Sequence, residues 1–205
     1  MRNTMIVLIN YGMGNNGSIL NMLKKIGIDA IISSHVDDIK KAHKLILPGV
    51  GAFDNGMKNL NNLDLTPILH EKVMRDKTPI LGICLGMQLL TQKSEEGSLP
   101  GLGWIDAQTI KFNHSELKIP HMGWNTITVY KQSALFREIY QEPKFYFVHS
   151  YHVMCSNEND ILTKTFYGYE FVSSIQQENI IGVQFHPEKS HKYGMKLLKN
   201  FVENF

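Results

Sequence analysis

The stretch Pro79-Ile80-Leu81-Gly82-Ile83-Cys84-Leu85-Gly86-Met87-Gln88-Leu89-Leu90 passes from an apolar strand pattern to a helical one through Gly-x-Cys-x-Gly. This is the thiol counterpart of the G-x-S-x-G nucleophile elbow, which presents a side chain on a sharp strand-to-helix turn. The residue types follow from that geometry. The positions two before and two after the nucleophile pack close together, where a Cβ would clash, so both are glycine. The turn sets the thiol at the carboxyl end of a strand and at a helix N-terminus, where the helix dipole favours the thiolate. The N–H of Leu85 is left to face a developing oxyanion. A free cysteine is more often buried and structural. The paired glycines and the strand-to-helix setting single out Cys84, whereas Cys155 has no such setting.

Outward from this turn, the N-terminal half alternates short apolar runs with helix-like stretches. Strands are predicted at 5–9, 28–32, 45–47 (ended by Pro48) and 79–83, and helices at 18–26, 36–42 and 85–91. Two polar, helix-biased stretches lie between Pro48 and Asp76. Fully apolar strands alternating with helices predict a parallel sheet covered on both faces. The second half is rich in β-branched and aromatic residues at 105–112, 126–130, 144–148, 171–175 and 180–185, which predicts antiparallel strands. Met195, Leu198, Phe201, Val202 and Phe205 recur at three- and four-residue steps, the pattern of an amphipathic closing helix. The expected fold is α/β, a single-domain three-layer sandwich over 1–205 with a mixed, mostly parallel sheet.

Composition removes several functions. Lys plus Arg is 21 against 19 for Asp plus Glu, a net charge of +2, and no basic stripe appears. Nucleic acid is therefore not an expected partner. The longest apolar run, 5–9, falls far short of the ~20 residues of a membrane helix and of a signal-peptide core. Two cysteines build no disulfide framework, so the expected setting is reducing and cytoplasmic, away from a membrane.

A cysteine nucleophile needs a base, and the base needs a group that fixes its tautomer. Among 9 histidines, His186 in Gly182-Val183-Gln184-Phe185-His186-Pro187-Glu188 stands out. It ends an apolar strand, and Pro187 holds it extended. Glu188, two positions on, returns to the same side and is placed to accept from the imidazole.

The order PGVG at 48–51, GICLGMQLL at 82–90 and GVQFHPE at 182–188 resembles the class I, triad-type glutamine amidotransferases. PHMGWN at 120–125, FYFVHSY at 145–151, HPEKS at 186–190 and KLLKNF at 196–201 resemble, within them, the glutaminase subunits of imidazole glycerol phosphate synthases. The resemblance spans nearly the whole chain and implies a flavodoxin-like fold. It implies that Cys84 attacks L-glutamine and forms a γ-glutamyl thioester, with His186 as base and Glu188 as its orienter. Val50 or Gly51 of PGVG would join Leu85 in the oxyanion hole. Gln88 would contact the substrate, as would Glu96 and the Ser150–Tyr151 backbone. Trp124 and Lys189 would face a cyclase/synthase subunit in a heterodimer that makes imidazole glycerol phosphate and AICAR. From sequence alone, Trp124 is equally well read as a core residue. No cofactor and no metal are implied.

Two patterns are weighed and set aside. Gly12-x-Gly14-x-x-Gly17 follows a strand, but the second strand ends in Ser33-Ser34-His35 without the acidic residue of a dinucleotide site. His149-x-x-His152-x-x-Cys155 has steps of three, which alternate faces on an extended strand, so the side chains are not expected to converge on a metal. Two alternatives in function stay open. A paralogous glutaminase would supply ammonia to a synthase-like partner for amidination of a surface sugar, with the same triad. A catalytically inactive binding or regulatory protein on this scaffold would not need Cys84, His186 and Glu188 together.

Overall fold

All side chains of β1 (Ile6–Ile9) are buried, Ile6 and Leu8 on one face and Val7 and Ile9 on the other. A strand so apolar requires cover on both sides. In the computed structural model, which describes residues 4–113 and 118–205, that cover is helical. After β1 come α1 (Asn16–Lys25), β2 (Ile31–Ser33), α2 (Val36–Lys41), β3 (Lys44–Gly49), α3 (Phe53–Asn62) and α4 (Leu65–His70). A π-helical turn at Glu71–Arg75 leads into β4 (Ile80–Cys84), α5 (Leu85–Leu89) and β5 (Lys93–Ser94). The second half carries β6 (Ala107–Lys111), β7 (His121–Thr126), β8 (Thr128–Val129), β9 (Lys144–His149) and β10 (Tyr151–Cys155). β11 (Ile161–Tyr167), β12 (Tyr169–Gln177), β13 (Ile180–Val183) and α6 (His191–Asn204) complete it.

Among the described residues the main sheet runs β2-β1-β3-β4-β13-β12-β10-β6-β5, with β11 and β8 attached beyond β12. β2, β1, β3, β4 and β13 are parallel, whereas β12, β10 and β6 alternate antiparallel. One face packs Ile39, Phe53, Leu60, Leu69 and Leu85 from α2 to α5. The other packs Ile19 and Leu23 of α1 with Leu197, Leu198 and Phe201 of α6. The result is the expected three-layer sandwich. β7 and β9 form a separate antiparallel ribbon. No helix among the described residues is long and apolar enough to cross a membrane.

Differences from the sequence expectation have physical causes. Pro48 does not end β3, which continues to Gly49. The Leu45 N–H bonds Pro79 O, so Leu45 and Leu47 face β4, and Ile46 and Pro48 face β1. The last β1 partner of β3 is Ile46, so at Pro48 there is no ladder bond to lose. β7, β10 and β11 were not expected as strands. In β11, Thr163 and Thr165 are buried, and the Thr163 hydroxyl pairs with Ser173 and Ser174 of β12 at 2.8 and 2.6 Å. A hydroxyl with a partner in the sheet behaves as a core residue, which a polar reading of Thr and Ser misses.

Candidate active site

Cys84 sits where β4 turns into α5, at φ 55° and ψ −110°. Such backbone strain in a residue with a Cβ is found where the surroundings over-determine it. Those surroundings are tight. A Cβ on Gly82 would lie 2.7 Å from the Gly86 carbonyl oxygen, and one on Gly86 would run into the Leu47 carbonyl of β3. The sulfur is nearly buried. It accepts from Gln184 Nε2 at 3.7 Å and lies 4.0 Å from the Val148 carbonyl. Leu85 is the first residue of α5, so its N–H has no acceptor within the helix.

His186 follows β13, the strand beside β4. Its N–H donates to the Tyr146 carbonyl at 2.8 Å, and its own carbonyl accepts from the Ser190 hydroxyl at 2.6 Å. These bonds fix the backbone. Its Nδ1 meets Glu188 Oε1 at 2.8 Å, with both side chains only 2% exposed. A carboxylate accepts, so Nδ1 carries the proton. Nε2 is then the free nitrogen, and it is buried with no hydrogen-bond partner. Burial depresses the His186 imidazolium, but the Cys84 sulfur and the Glu188 carboxylate outweigh it and raise the pKa to about 10. Tyr11, buried near the same sulfur, is pushed well above an ordinary phenol by desolvation and then by the charge of Cys84.

A cavity of about 440 Å³ opens over the sulfur. Val50, Gly51, Cys84, Leu85, Gln88, Glu96, Ser150, Tyr151 and His186 all line it. Val50 is 45% exposed at the rim, and Gly51 sits at φ 103°, a conformation that a residue with a Cβ rarely adopts. Gln88 Nε2 donates to the Tyr151 carbonyl at 3.2 Å and to Gln184 Oε1 at 3.0 Å. Both its N–H groups are thus taken, and its oxygen is what it can offer a ligand. Glu96 accepts the Phe53 N–H at 2.8 Å and so closes the start of α3. Asp54 braces the same junction in reverse, accepting from the Ser98 and Leu99 N–H groups at 3.0 Å, which hold its carboxyl below the usual range. Glu188 lies behind His186, away from the cavity lining.

Trp124 and Lys189 stand outside the cavity. Trp124 is 47% exposed, which excludes the core reading. It stacks on His191 with ring centroids 5.5 Å apart, and Lys189 Nζ lies 5.4 Å from the Tyr146 ring centre. The sequence reading missed Gln184, which sits inside the quoted GVQFHPE motif, and the pair His121 and His149. The reading of His149 and His152 needs correcting. A bend at Ser150 separates β9 from β10, so both rings pack on Phe112, at 5.2 and 4.8 Å between centroids. Among the described residues, no group of three or more His, Cys, Asp or Glu is arranged to hold a metal ion. The Gly12–Gly17 run is the turn into α1, where the Asn15 side chain accepts the Ser18 N–H at 3.4 Å.

The fold and the sequence both have relatives. A solved structure described as a glutamine amidotransferase superposes with a TM-score of 0.72 at 18% identity, over 96% of this chain and 97% of that one. At that identity the likeness speaks for the fold alone. Imidazole glycerol phosphate synthase subunit HisH 2 of Methanococcus maripaludis is 57% identical, over 97% of this chain and 99% of that protein. The subunit HisH 2 of Pseudomonas aeruginosa is 49% identical over the same shares. The model of the family "Glutamine amidotransferase class-I" matches residues 7–205, from the second residue of β1 to the C-terminus. By this match, which takes in the Cys84 turn and His186, the chain belongs to the class I glutamine amidotransferases.

Proposed function

We propose that this chain is the glutaminase subunit of an imidazole glycerol phosphate synthase. It hydrolyses L-glutamine to glutamate and ammonia and passes the ammonia to a cyclase/synthase subunit with which it forms a heterodimer. The single observation that carries the reading is the Cys84 elbow lining one cavity with His186, whose Nε2 is buried and whose Nδ1 is held by Glu188. Identity to named HisH subunits along the whole chain supports the choice of synthase.

The chemistry follows from these groups. His186 Nε2 takes the proton of the Cys84 thiol, and the sulfur attacks the side-chain carbonyl of glutamine. Charge gathers on the carbonyl oxygen, which the Leu85 N–H and an N–H of Val50 or Gly51 stabilise; one such donor is worth ~3 kcal/mol of barrier. The imidazolium, held in one tautomer by Glu188, gives its Nε2 proton to the leaving nitrogen. The C–N bond breaks, ammonia departs and a γ-glutamyl thioester remains. His186, now neutral, takes a proton from water, whose oxygen attacks the thioester and releases glutamate. Gln88, Glu96 and the Ser150–Tyr151 backbone hold the α-amino and carboxylate ends. Trp124 and Lys189, outside the cleft, face the synthase subunit. Both cysteines are free, which suits a reducing cytoplasmic setting.

The test is glutamate release with and without a synthase partner. Cys84→Ala is expected to abolish it with the fold intact, and the lone wild-type chain to work slowly until the partner is added. Near wild-type hydrolysis by Cys84→Ala would sink the assignment. A second reading rests on the names of the relatives, since those from M. maripaludis and P. aeruginosa are each designated HisH 2. Such a numbered copy could serve a synthase-like partner that amidinates a surface sugar. Co-purification of the partner from the native cell separates the two.

A further inference from the structure

One wall of the cleft is a bend in the chain, lined by His149, Ser150 and Tyr151. β9 belongs to the β7–β9 ribbon and β10 to the main sheet, and the crossing occurs at Ser150. The bend is closed by a side chain. His149 Nδ1 lies 2.7 Å from the Tyr151 carbonyl, two residues on. The Gln88 amide donates to the same carbonyl at 3.2 Å.

The proton positions behind this bond are determined from one end to the other. A carbonyl only accepts, so His149 carries its proton on Nδ1, and its Nε2 accepts. The group facing that Nε2 is His121 Nδ1, at 3.0 Å, which must donate. His121 Nε2 then accepts, and Asn125 Nδ2 faces it at 3.2 Å. The orientation of Asn125 is fixed independently. Its Oδ1 accepts the Thr126 N–H at 2.8 Å, and its Nδ2 donates to the Phe166 carbonyl at 3.0 Å. Every donor therefore points the same way, from Asn125 through His121 and His149 to Tyr151. The two histidines are cross-strand partners in the β7–β9 register, so the ribbon itself sets their spacing. Both are buried, and desolvation keeps both imidazoles neutral, His121 down to about 4 and His149 well below the usual value. Protonating either ring would turn two donors toward each other.

We infer that His121 and His149 are positioning residues for glutamine binding, whose one-way hydrogen-bond chain from Asn125 holds the Ser150 bend as a wall of the cleft beside Cys84. The inference rests on the glutaminase reading. It assigns them no part in the chemical step, which belongs to Cys84 and His186.

The experiment measures steady-state glutamate release from L-glutamine by the full chain with its synthase subunit, and alkylation of Cys84 by iodoacetamide, which needs no glutamine pocket. Release by wild type that disappears in Cys84→Ala establishes the underlying reading; failure of that control overturns both. With the control met, His149→Ala is expected to raise KM about tenfold or more, the scale of an unmet buried hydrogen bond, with kcat within threefold. The alkylation rate is expected to stay at the wild-type value. His121→Asn keeps an amide donor near the Nδ1 position and is expected within threefold of the wild-type KM, whereas His121→Leu removes the donor and raises KM. An unchanged KM in His149→Ala, or a loss confined to kcat and alkylation, overturns the inference. So does equal behaviour of Asn and Leu at position 121, a comparison that stands even if His149→Ala does not fold.

Discussion

Glu188→Gln tests the proposed triad with almost no change of shape. Glu188 Oε1 lies 2.8 Å from His186 Nδ1, and each side chain is 2% exposed, so water cannot take the place of the lost charge. Breaking a buried pair by neutralising one partner costs about 3–5 kcal/mol. The carboxylate matters most when His186 is an imidazolium, which is the state that protonates the leaving nitrogen. If the whole cost falls on that step, kcat drops about 10²- to 10⁴-fold at 1.36 kcal/mol per decade. KM is expected to hold, because Glu188 does not line the cleft. The same change weakens one of the two influences that raise the His186 pKa, the other being Cys84 itself. His186 is then less often an imidazolium beside the Cys84 sulfur, and iodoacetamide alkylation of Cys84 at neutral pH is expected to slow. The assay is glutamate release with the partner present, alongside alkylation across about pH 7 to 10, roughly one and a half units either side of the ordinary thiol pKa of about 8.5. A kcat within threefold of wild type, or a loss seen only in KM, would refute the reasoning.

Two further outcomes concern stability. His121 and His149 are held neutral by burial, so the unfolded chain binds more protons than the folded one once pH drops below about 6.5. Their contribution is complete above that pH and is lost on the way down toward 4, at roughly 1.4 kcal/mol per pH unit for each. His186 has the opposite sign: raised to about 10, it adds stability that is complete below about 6.5 and lost as pH climbs through 10. Urea unfolding against pH should therefore peak near 6.5, and a flat profile from 6.5 down to 4.5 would contradict the neutral buried pair. Gly86→Ala pushes a methyl into the Leu47 carbonyl, where both β3 and the elbow are backbone and neither yields cheaply. Overpacking of this kind costs about 1–3 kcal/mol, or roughly 2–12 °C in Tm, with loss of glutamine hydrolysis. An unchanged Tm with full activity would show that the turn is looser than its close approaches require.

The parallel half of the fold was legible because β1, β3 and β4 each carry a contiguous apolar run, whereas β2, expected over 28–32, pairs only at Ile31–Ser33. Ile80–Cys84 is buried along its whole length, and a short apolar run that follows Pro79 and ends where a helical pattern begins reads as a buried strand. The antiparallel half was less legible because burial there is reached by pairing polar groups. Thr163 is buried by its hydroxyl contacts to β12, and His121 by its ring contact to His149. The partners stand 10 and 28 residues away, on other strands, so the pattern within one strand does not reveal that the polar group is satisfied. The expected strand at 126–130 is split instead: Thr126 ends β7 opposite Lys144, Thr128 and Val129 pair with Lys164 and Thr163 of β11, and the Tyr130 N–H donates to the Leu162 carbonyl at 2.8 Å.

The same division runs through the site, and it separates two kinds of information. Cys84 with its glycines, and His186 with Glu188, are encoded within a few residues each, because a strained turn and a two-residue carboxylate return are local geometry. The sequence reading reached them for that reason. The Gln88–Gln184–Cys84 contacts join residues about a hundred positions apart, and the wall at Ser150 depends on the β7–β9 register. These contacts position groups around Cys84, the proposed nucleophile, without supplying the proposed chemistry. A substitution that shifted the register of β7 by one residue would turn His121 to the other face of the ribbon and leave every contiguous motif intact. Such a variant is expected to keep a reactive Cys84 and lose its grip on glutamine, so a search by motif alone would count it as active when its pocket is not.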